Sequence, residues 1–354
     1  MFILLLITLP TTIQLVIWIF GYILYRPIKS EKNGSINLAI LVPAHNEEKE
    51  LEATLTSLKA LNHPIILVAD NCNDKTVEIA LKAGVSVIER NDPKLGKPYA
   101  LLFALQHLEN MPYTHYLIID ADCTASPNLV EEMQSLFHKG YEFIQAHYTF
   151  ERSSPFSRLY YLKLESANHS RPIARIALNL APGCLGSGYA LTKEAAKKIG
   201  IKESLAEDQA LFYDLCLNDI KQTYTDRASV TAKAPPDKKA FNIQNQRWDK
   251  GHFQLIKEYF LPLLKSGKPE LICNLLVLPL SYYILALVVL LFFYSYYALL
   301  GLVIIFIHYT QTFILAKGTK EDLYAFRLIP ELIWMKILAI PKLLRTTIWK
   351  KTPR

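Results

Sequence analysis

The chain has 354 residues, enough for one large domain with additions; 51% are hydrophobic and the formal charge is +7. The basic residues flank apolar blocks, so the positive charge is explained by a membrane surface and gives no support to a nucleic-acid partner. Five cysteines, at 72, 123, 184, 216 and 273, show neither C-x-x-C nor metal-ligand spacing and are expected to be free thiols.

Residues 2–25 contain no Asp, Glu, Lys or Arg. At about 1.5 Å per residue such a helix crosses the roughly 30 Å hydrocarbon core. A cleaved signal peptide would want a charged start, a shorter apolar core and a small-x-small site, and the segment supplies none. Residues 271–316 are also free of charged side chains, too long for one span and suited to two, with the turn expected near Tyr294-Ser295-Tyr296. Arg26, Lys29 and Lys32 follow the first span, and Lys317, Lys320 and Arg327 follow the third. Basic loops stay inside, so the N-terminus is expected outside and residues 26–268 in the cytoplasm. Residues 317–354 carry Lys336, Lys342, Arg345, Lys350 and Lys351 among Ile, Leu and Trp, the pattern of an amphipathic segment on the inner leaflet, with a fourth span as the alternative.

Between the apolar blocks the pattern alternates. Residues 37–42 read as a strand ending at Pro43, 47–61 as a helix, 65–69 as a strand and 76–83 as a helix stopped by Gly84. Residues 85–88 make a third strand, 96–108 a helix and 116–119 a fourth strand. This βα alternation predicts an α/β fold with a doubly wound, mostly parallel sheet. Residues 43–47, 70–74 and 120–122 then fall at strand carboxyl ends, on the edge where ligands bind in such sheets. Tyr116 to Cys123 runs an apolar strand into Asp120 and Asp122, whose side chains share a face if the segment stays extended, a pair suited to a divalent cation. There is no G-x-G-x-x-G after the first strand and no P-loop. Gly186-Ser187-Gly188 reads as a flexible turn. Residues 155–179 and 241–260 read as amphipathic helices suited to a membrane surface, with a solvated helix over the sheet as the alternative for 155–179.

Six motifs in this order resemble the family 2 glycosyltransferases, specifically the membrane-integrated group with cellulose, hyaluronan and poly-N-acetylglucosamine synthases. They are Val42-Pro43-Ala44-His45-Asn46-Glu47-Glu48, Asp70-Asn71-Cys72-Asn73-Asp74-Lys75-Thr76, Gly96-Lys97, Asp120-Ala121-Asp122, Ala206-Glu207-Asp208 and Gln244-Asn245-Gln246-Arg247-Trp248. Cys72 stands where the family usually has Ser, and Ala206 where Thr is common.

The resemblance implies a GT-A-like fold with flanking transmembrane helices, arranged as spans at 1–25 and 269–316, a glycosyltransferase domain at 26–268 and a tail at 317–354. It implies that Pro43, Ala44, Asn46, Glu47 and Asp70 hold the base and ribose of a nucleotide-diphosphate sugar, expected to be a UDP-sugar, and that Lys97 reaches the diphosphate. The D-x-D pair is implied as a unit. Because Mg²⁺ or Mn²⁺ takes few protein carboxylates, Asp122 is the expected ligand, with Asp120 sharing the metal or contacting the donor. Asp208 is the expected general base, since the acceptor hydroxyl must lose a proton as it attacks. A single base without a nucleophilic carboxylate implies inversion. Glu207, Gln244, Arg247 and Trp248 are expected at the acceptor and diphosphate end, with the guanidinium on the diphosphate and the indole on a sugar. The implied acceptor is a growing polysaccharide at the inner membrane. The alternative is one transfer to a membrane lipid, as in ceramide glucosyltransferases. Three spans leave a translocation channel to other polysaccharide-synthesis subunits.

Overall fold

The computed structural model describes residues 1–331 and 334, apart from 30, 32, 33, 95, 200–203, 205, 236 and 237. Most of the expected interfacial tail, with Lys336, Lys342, Arg345, Lys350 and Lys351, lies outside the described residues, as does Lys32. Contacts divide the chain into two compact units. One comprises Arg26–Phe150 and Ala181–Lys233; the other comprises Met1–Tyr25, Glu151–Leu180 and Ala234–Arg354.

The first unit is built on an eight-stranded mixed sheet. Its strands are β1 (Leu38–Ala44), β2 (Ile65–Asp70), β3 (Ser86–Arg90), β4 (His115–Ile118), β5 (Cys123–Ala125), β6 (Phe143–Phe150), β7 (Tyr189–Thr192) and β8 (Gln222–Ala232). The order across the sheet is β3-β2-β1-β4-β7-β6-β8-β5. β1 lies parallel to β2 and β4, and β2 parallel to β3, as the βα alternation predicts. Every residue of β1 and β2 is buried, which is why both read as unbroken apolar runs rather than alternating ones. β7 runs antiparallel between β4 and β6, so the second half of the sheet departs from the parallel pattern. The expected helices are present as Leu51–Lys59, Thr76–Lys82, Lys97–His107 and Glu207–Leu217. Gly84 sits at φ +73°, the left-handed conformation that ends the second of these without a Cβ penalty.

In the second unit the helix Phe2–Leu24 carries its polar residues inward. Thr8, Thr11, Thr12 and Gln14 are buried, whereas Phe2, Ile3, Leu6 and Phe20 are exposed. Thr12 Oγ1 meets the hydroxyls of Tyr283 at 2.6 Å and Tyr297 at 2.8 Å, and Gln14 Nε2 donates to Glu270 Oε1 at 3.0 Å. A Cβ on Gly21 would strike the backbone of Ala174, so glycine permits the close packing of this helix on Arg171–Ala177.

Among the described residues two single helices, Phe2–Leu24 and Ser295–Leu315, are long and apolar enough to cross a membrane. The turn of the expected hairpin falls between Leu290 and Ser295. Its first arm is bent, as a broken span or a re-entrant loop is. Pro269–Leu275 and Leu280–Leu290 meet at 89°. Pro279, at φ −52° and ψ 135°, cannot continue a helix and forces the break, and the freed N–H of Leu278 donates to Thr11 Oγ1 at 2.9 Å. Residues 155–177 form two helices, Pro155–Glu165 and Arg171–Ala177, joined by a π-helical turn at Ser166–Ser170. The helix Lys238–Lys265 exposes Phe253, Phe260, Leu261 and Leu264. Among the described residues no disulfide joins any of the five cysteines.

Candidate active site

The carboxyl ends of β1, β2 and β4 lie on one edge of the sheet because the three strands are parallel. Pro43 and Ala44 are the buried last residues of β1. Asn46 follows at φ +55°, a conformation asparagine tolerates, and its Oδ1 accepts from Asn73 N at 2.8 Å. Glu47 N donates to Thr76 Oγ1 at 2.8 Å. The first two strand-end loops are therefore laced together by backbone donors.

Asp70, the last residue of β2, is 3% exposed. It faces Arg90 across the β2–β3 ladder; Arg90 Nη1 donates to its Oδ1 at 2.5 Å, and Gly96 N donates to its Oδ2 at 3.2 Å. The carboxylate thus fixes the start of the helix that carries Lys97. At the start of the following helix Thr76 N donates to Asp74 Oδ1 at 3.0 Å. Nothing in the spacing singled out Arg90; its register opposite Asp70 needs the sheet order.

Asp120 and Asp122 do come together, by a different route from the one expected. β4 ends at Ile118 and residues 121–122 form a turn, closed by Cys123 N donating to Asp120 O at 3.1 Å. Ligand atoms of Asp120, Asp122 and Cys123 lie within 4.8 Å of one another. The two carboxylates suit a hard divalent ion. The buried Cys123 does not add a thiolate: burial, then the charge of Asp120, pushes its thiol well up, and its Sγ donates to Asp122 Oδ1 at 3.4 Å.

Lys97 is the first residue of its helix, and its Nζ reaches Asp120 Oδ1 at 2.5 Å and Gly186 O at 2.5 Å. Burial opposes its charge, but Asp120, Tyr189 and Glu207 overcome that cost and hold the ammonium above its ordinary range. The turn at 185–188 is pinned rather than flexible. Gln145, fully buried in β6, accepts from Leu185 N at 3.0 Å and donates to Ser187 O at 2.9 Å, and Asp120 N donates to Ser187 Oγ at 2.9 Å. Gly186 sits at φ +81°, where a Cβ would lie 3.9 Å from Asp208 Oδ2. Glu207 and Asp208 open the helix Glu207–Leu217 and line one pocket with Lys97, Gly186 and Tyr189. Gln145 and Ser187 were missed by motif reasoning, since a buried Gln in a strand carries no sequence signal.

Gln244, Arg247 and Trp248 belong to the other unit, on Lys238–Lys265. Gln244 Oε1 accepts from Tyr160 OH at 3.1 Å, and the Trp248 ring stacks on Tyr160 with centroids 6.3 Å apart, with Lys163 Nζ 5.0 Å from its centroid. Among the described residues the buried Arg247 Nε has no hydrogen-bond partner. Two members of the motif therefore brace their helix against Pro155–Glu165.

Residues 39–200 match the profile of Glycosyl transferase family 2. A mannosyltransferase from Pyrobaculum calidifontis, solved with GDP-Man and Mn²⁺, is similar over 96% of this chain and 99% of its own, with a TM-score of 0.59 and 15% identity. The glucosyl-3-phosphoglycerate synthase of Mycobacterium tuberculosis, solved with Mn²⁺, UDP and phosphoglyceric acid, is similar over 62% of this chain and 78% of its own, with a TM-score of 0.47 and 18% identity. No curated protein matches by sequence. Over residues 39–200 the chain is therefore similar to the family 2 glycosyltransferases, and its fold is the GT-A fold.

Proposed function

We propose that the protein transfers a sugar, with inversion, from a nucleoside diphosphate donor to an acceptor carried at a membrane. The observation that carries this reading is the convergence, in one unit, of Lys97, Asp120 and Asp122 with Glu207 and Asp208 around the turn at Gly186. The mannosyltransferase of similar fold was solved with GDP-Man and Mn²⁺, which supports a nucleoside diphosphate sugar and a divalent ion here. The base of the donor, uracil or guanine, is read by the loops at 43–47 and 70–74.

Asp122 and Asp120 would hold the ion, which when bound supplies Lewis-acid neutralisation of the leaving diphosphate. Asp208 takes the proton of the acceptor hydroxyl as its oxygen attacks the anomeric carbon. The bond from that carbon to the phosphate oxygen breaks, and its electron pair leaves with the diphosphate. Lys97 offers its ammonium to that charge. One displacement without a covalent intermediate inverts the anomeric centre.

The inward polar face of Phe2–Leu24 supports insertion in a membrane, with the glycosyltransferase domain in the cytoplasm. The acceptor is either a growing polysaccharide or a lipid. Asp208→Asn and Asp122→Ala are each expected to lower transfer by about a hundredfold or more. Labelled donor incubated with detergent-purified variants measures it, and unchanged turnover would remove these residues from the reaction. Sizing the product of the native enzyme separates the acceptors: a polydisperse product identifies a polymer and one organic-soluble species a lipid. NMR of the product's anomeric configuration tests inversion, and retention would reject it.

A further inference from the structure

The ammonium of Lys97 is closed on two partners, the Asp120 carboxylate and the Gly186 carbonyl, each at 2.5 Å. It stands at the first position of its helix, where the backbone dipole disfavours a cation, so its placement depends on those oxygens. Gly96, just before it, is fixed through its N–H to the buried Asp70, which Arg90 in turn clamps. The backbone bearing Lys97 is thus held at one point, and its long side chain ends on those two oxygens. Asp120 is held too, through its N–H to Ser187 Oγ. One carboxylate of the cation-binding pair is therefore occupied by a protein cation.

We propose that Lys97 acts as a resident counter-ion that keeps divalent metal out of the Asp120–Asp122 pair until the donor diphosphate arrives. This rests on the reading of that pair as a metal site. A dication entering alone must share Asp120 with an ammonium in contact with it, or displace that ammonium from its direct Asp120 contact toward the Glu207 and Asp208 side of the pocket, at a helix N-terminus that disfavours a cation. A diphosphate offers several negative oxygens to the same ammonium. Lys97 then exchanges Asp120 for phosphate, and Asp120 is released to the metal. Metal and donor consequently bind with positive coupling, and the coupling is reciprocal. Phosphate oxygens completing the metal's shell also contribute coupling, so the part belonging to Lys97 is isolated by changing the lysine.

The test is Mn²⁺ binding to the detergent-purified full chain, read by EPR without any sugar transfer, alone and with UDP or GDP. Lys97→Met is expected to bind Mn²⁺ at least tenfold more tightly than the native protein in the absence of nucleotide, and to show a correspondingly smaller gain when nucleotide is added. Lys97→Arg, which keeps the charge, is expected to retain the weak nucleotide-free affinity. If Lys97→Met fails to melt cooperatively, Lys97→Gln, which keeps a donor for Gly186 O, takes its place with the same expectation. Asp122→Ala supplies the control and should abolish the specific signal. Nucleotide-free affinity unchanged in Lys97→Met or Lys97→Gln, with the signal lost in Asp122→Ala, overturns the counter-ion role and leaves the metal site standing. Binding that survives Asp122→Ala overturns both.

Discussion

Gln145 shows how a residue far from any motif sets the geometry of one. Its amide is fully buried and ties together Leu185 N, Ser187 O and Gly188 O, while Ser187 in turn receives the N–H of Asp120. Gln145→Leu removes the side-chain partner of Leu185 N and Ser187 O, whereas Gly188 O keeps Ala146 N, and is expected to cost about 2–3 kcal/mol of stability. A thermal melt measures the loss, and transfer assayed well below the melting temperature should still fall, because the turn bearing Gly186 and Ser187 loses its position. Full activity in a destabilised but folded variant would limit Gln145 to a packing role. At this scale the sequence announced the acidic and basic groups, since each sits in a short motif beside a strand end. It did not announce their partners. The pairing of Asp70 with Arg90 depends on β2 and β3 being neighbours in register, and that of Lys97 with Gly186 joins residues 89 apart in the chain.

Elements were legible where one period dominates. The buried strands β1 and β2 and the helices after them follow from unbroken apolar runs and 3.6-residue patterns. The bend between Pro269–Leu275 and Leu280–Leu290 was not legible, because hydropathy does not register the geometry that Pro279 imposes. The short helix Lys320–Ala325 illustrates an element held by its cap. Asp322 accepts from Thr319 N at 2.8 Å and is reached by Arg152 at 3.1 Å and Arg158 at 3.0 Å. Burial alone would raise its pKa, but the Thr319 backbone and the two guanidinium groups hold the carboxyl below its usual range. A depressed folded pKa means that the stabilisation is present above the unfolded value, about 4, and is lost as the pH falls through the folded one. Asp322→Asn is expected to cost about 1–3 kcal/mol at pH 7, discounted because both arginines are partly exposed. Melts of both proteins at pH 7 and near pH 3 check the sign: the gap should narrow in acid, and a constant gap would assign the loss to packing.

Over the whole molecule, the chain passes between the two units after residues 25, 150, 180 and 233, so neither is a continuous stretch. This is why residues 155–179 and 241–260 could be read as helices from the sequence but not assigned to the apolar helices they join. In that second unit Arg175 is fully buried and paired with Glu270 at 2.6 Å, while large apolar side chains are exposed around an apolar core. Water would penalise such a surface, whereas lipid penalises the reverse, so the arrangement predicts lipid around Ile13 and Phe306, which are 39% and 73% exposed. Spin labels at Ile13→Cys and Phe306→Cys, in a background without the native cysteines and reconstituted in bilayers, should relax readily with oxygen and poorly with a water-soluble nickel chelate. A label at Glu78→Cys, on the exposed face of Thr76–Lys82, should behave in the opposite way. If the first two sites are as open to nickel as the third, the apolar surface does not face lipid. If they are closed to both reagents, another protein chain covers it, and the acceptor must then be sought at that interface.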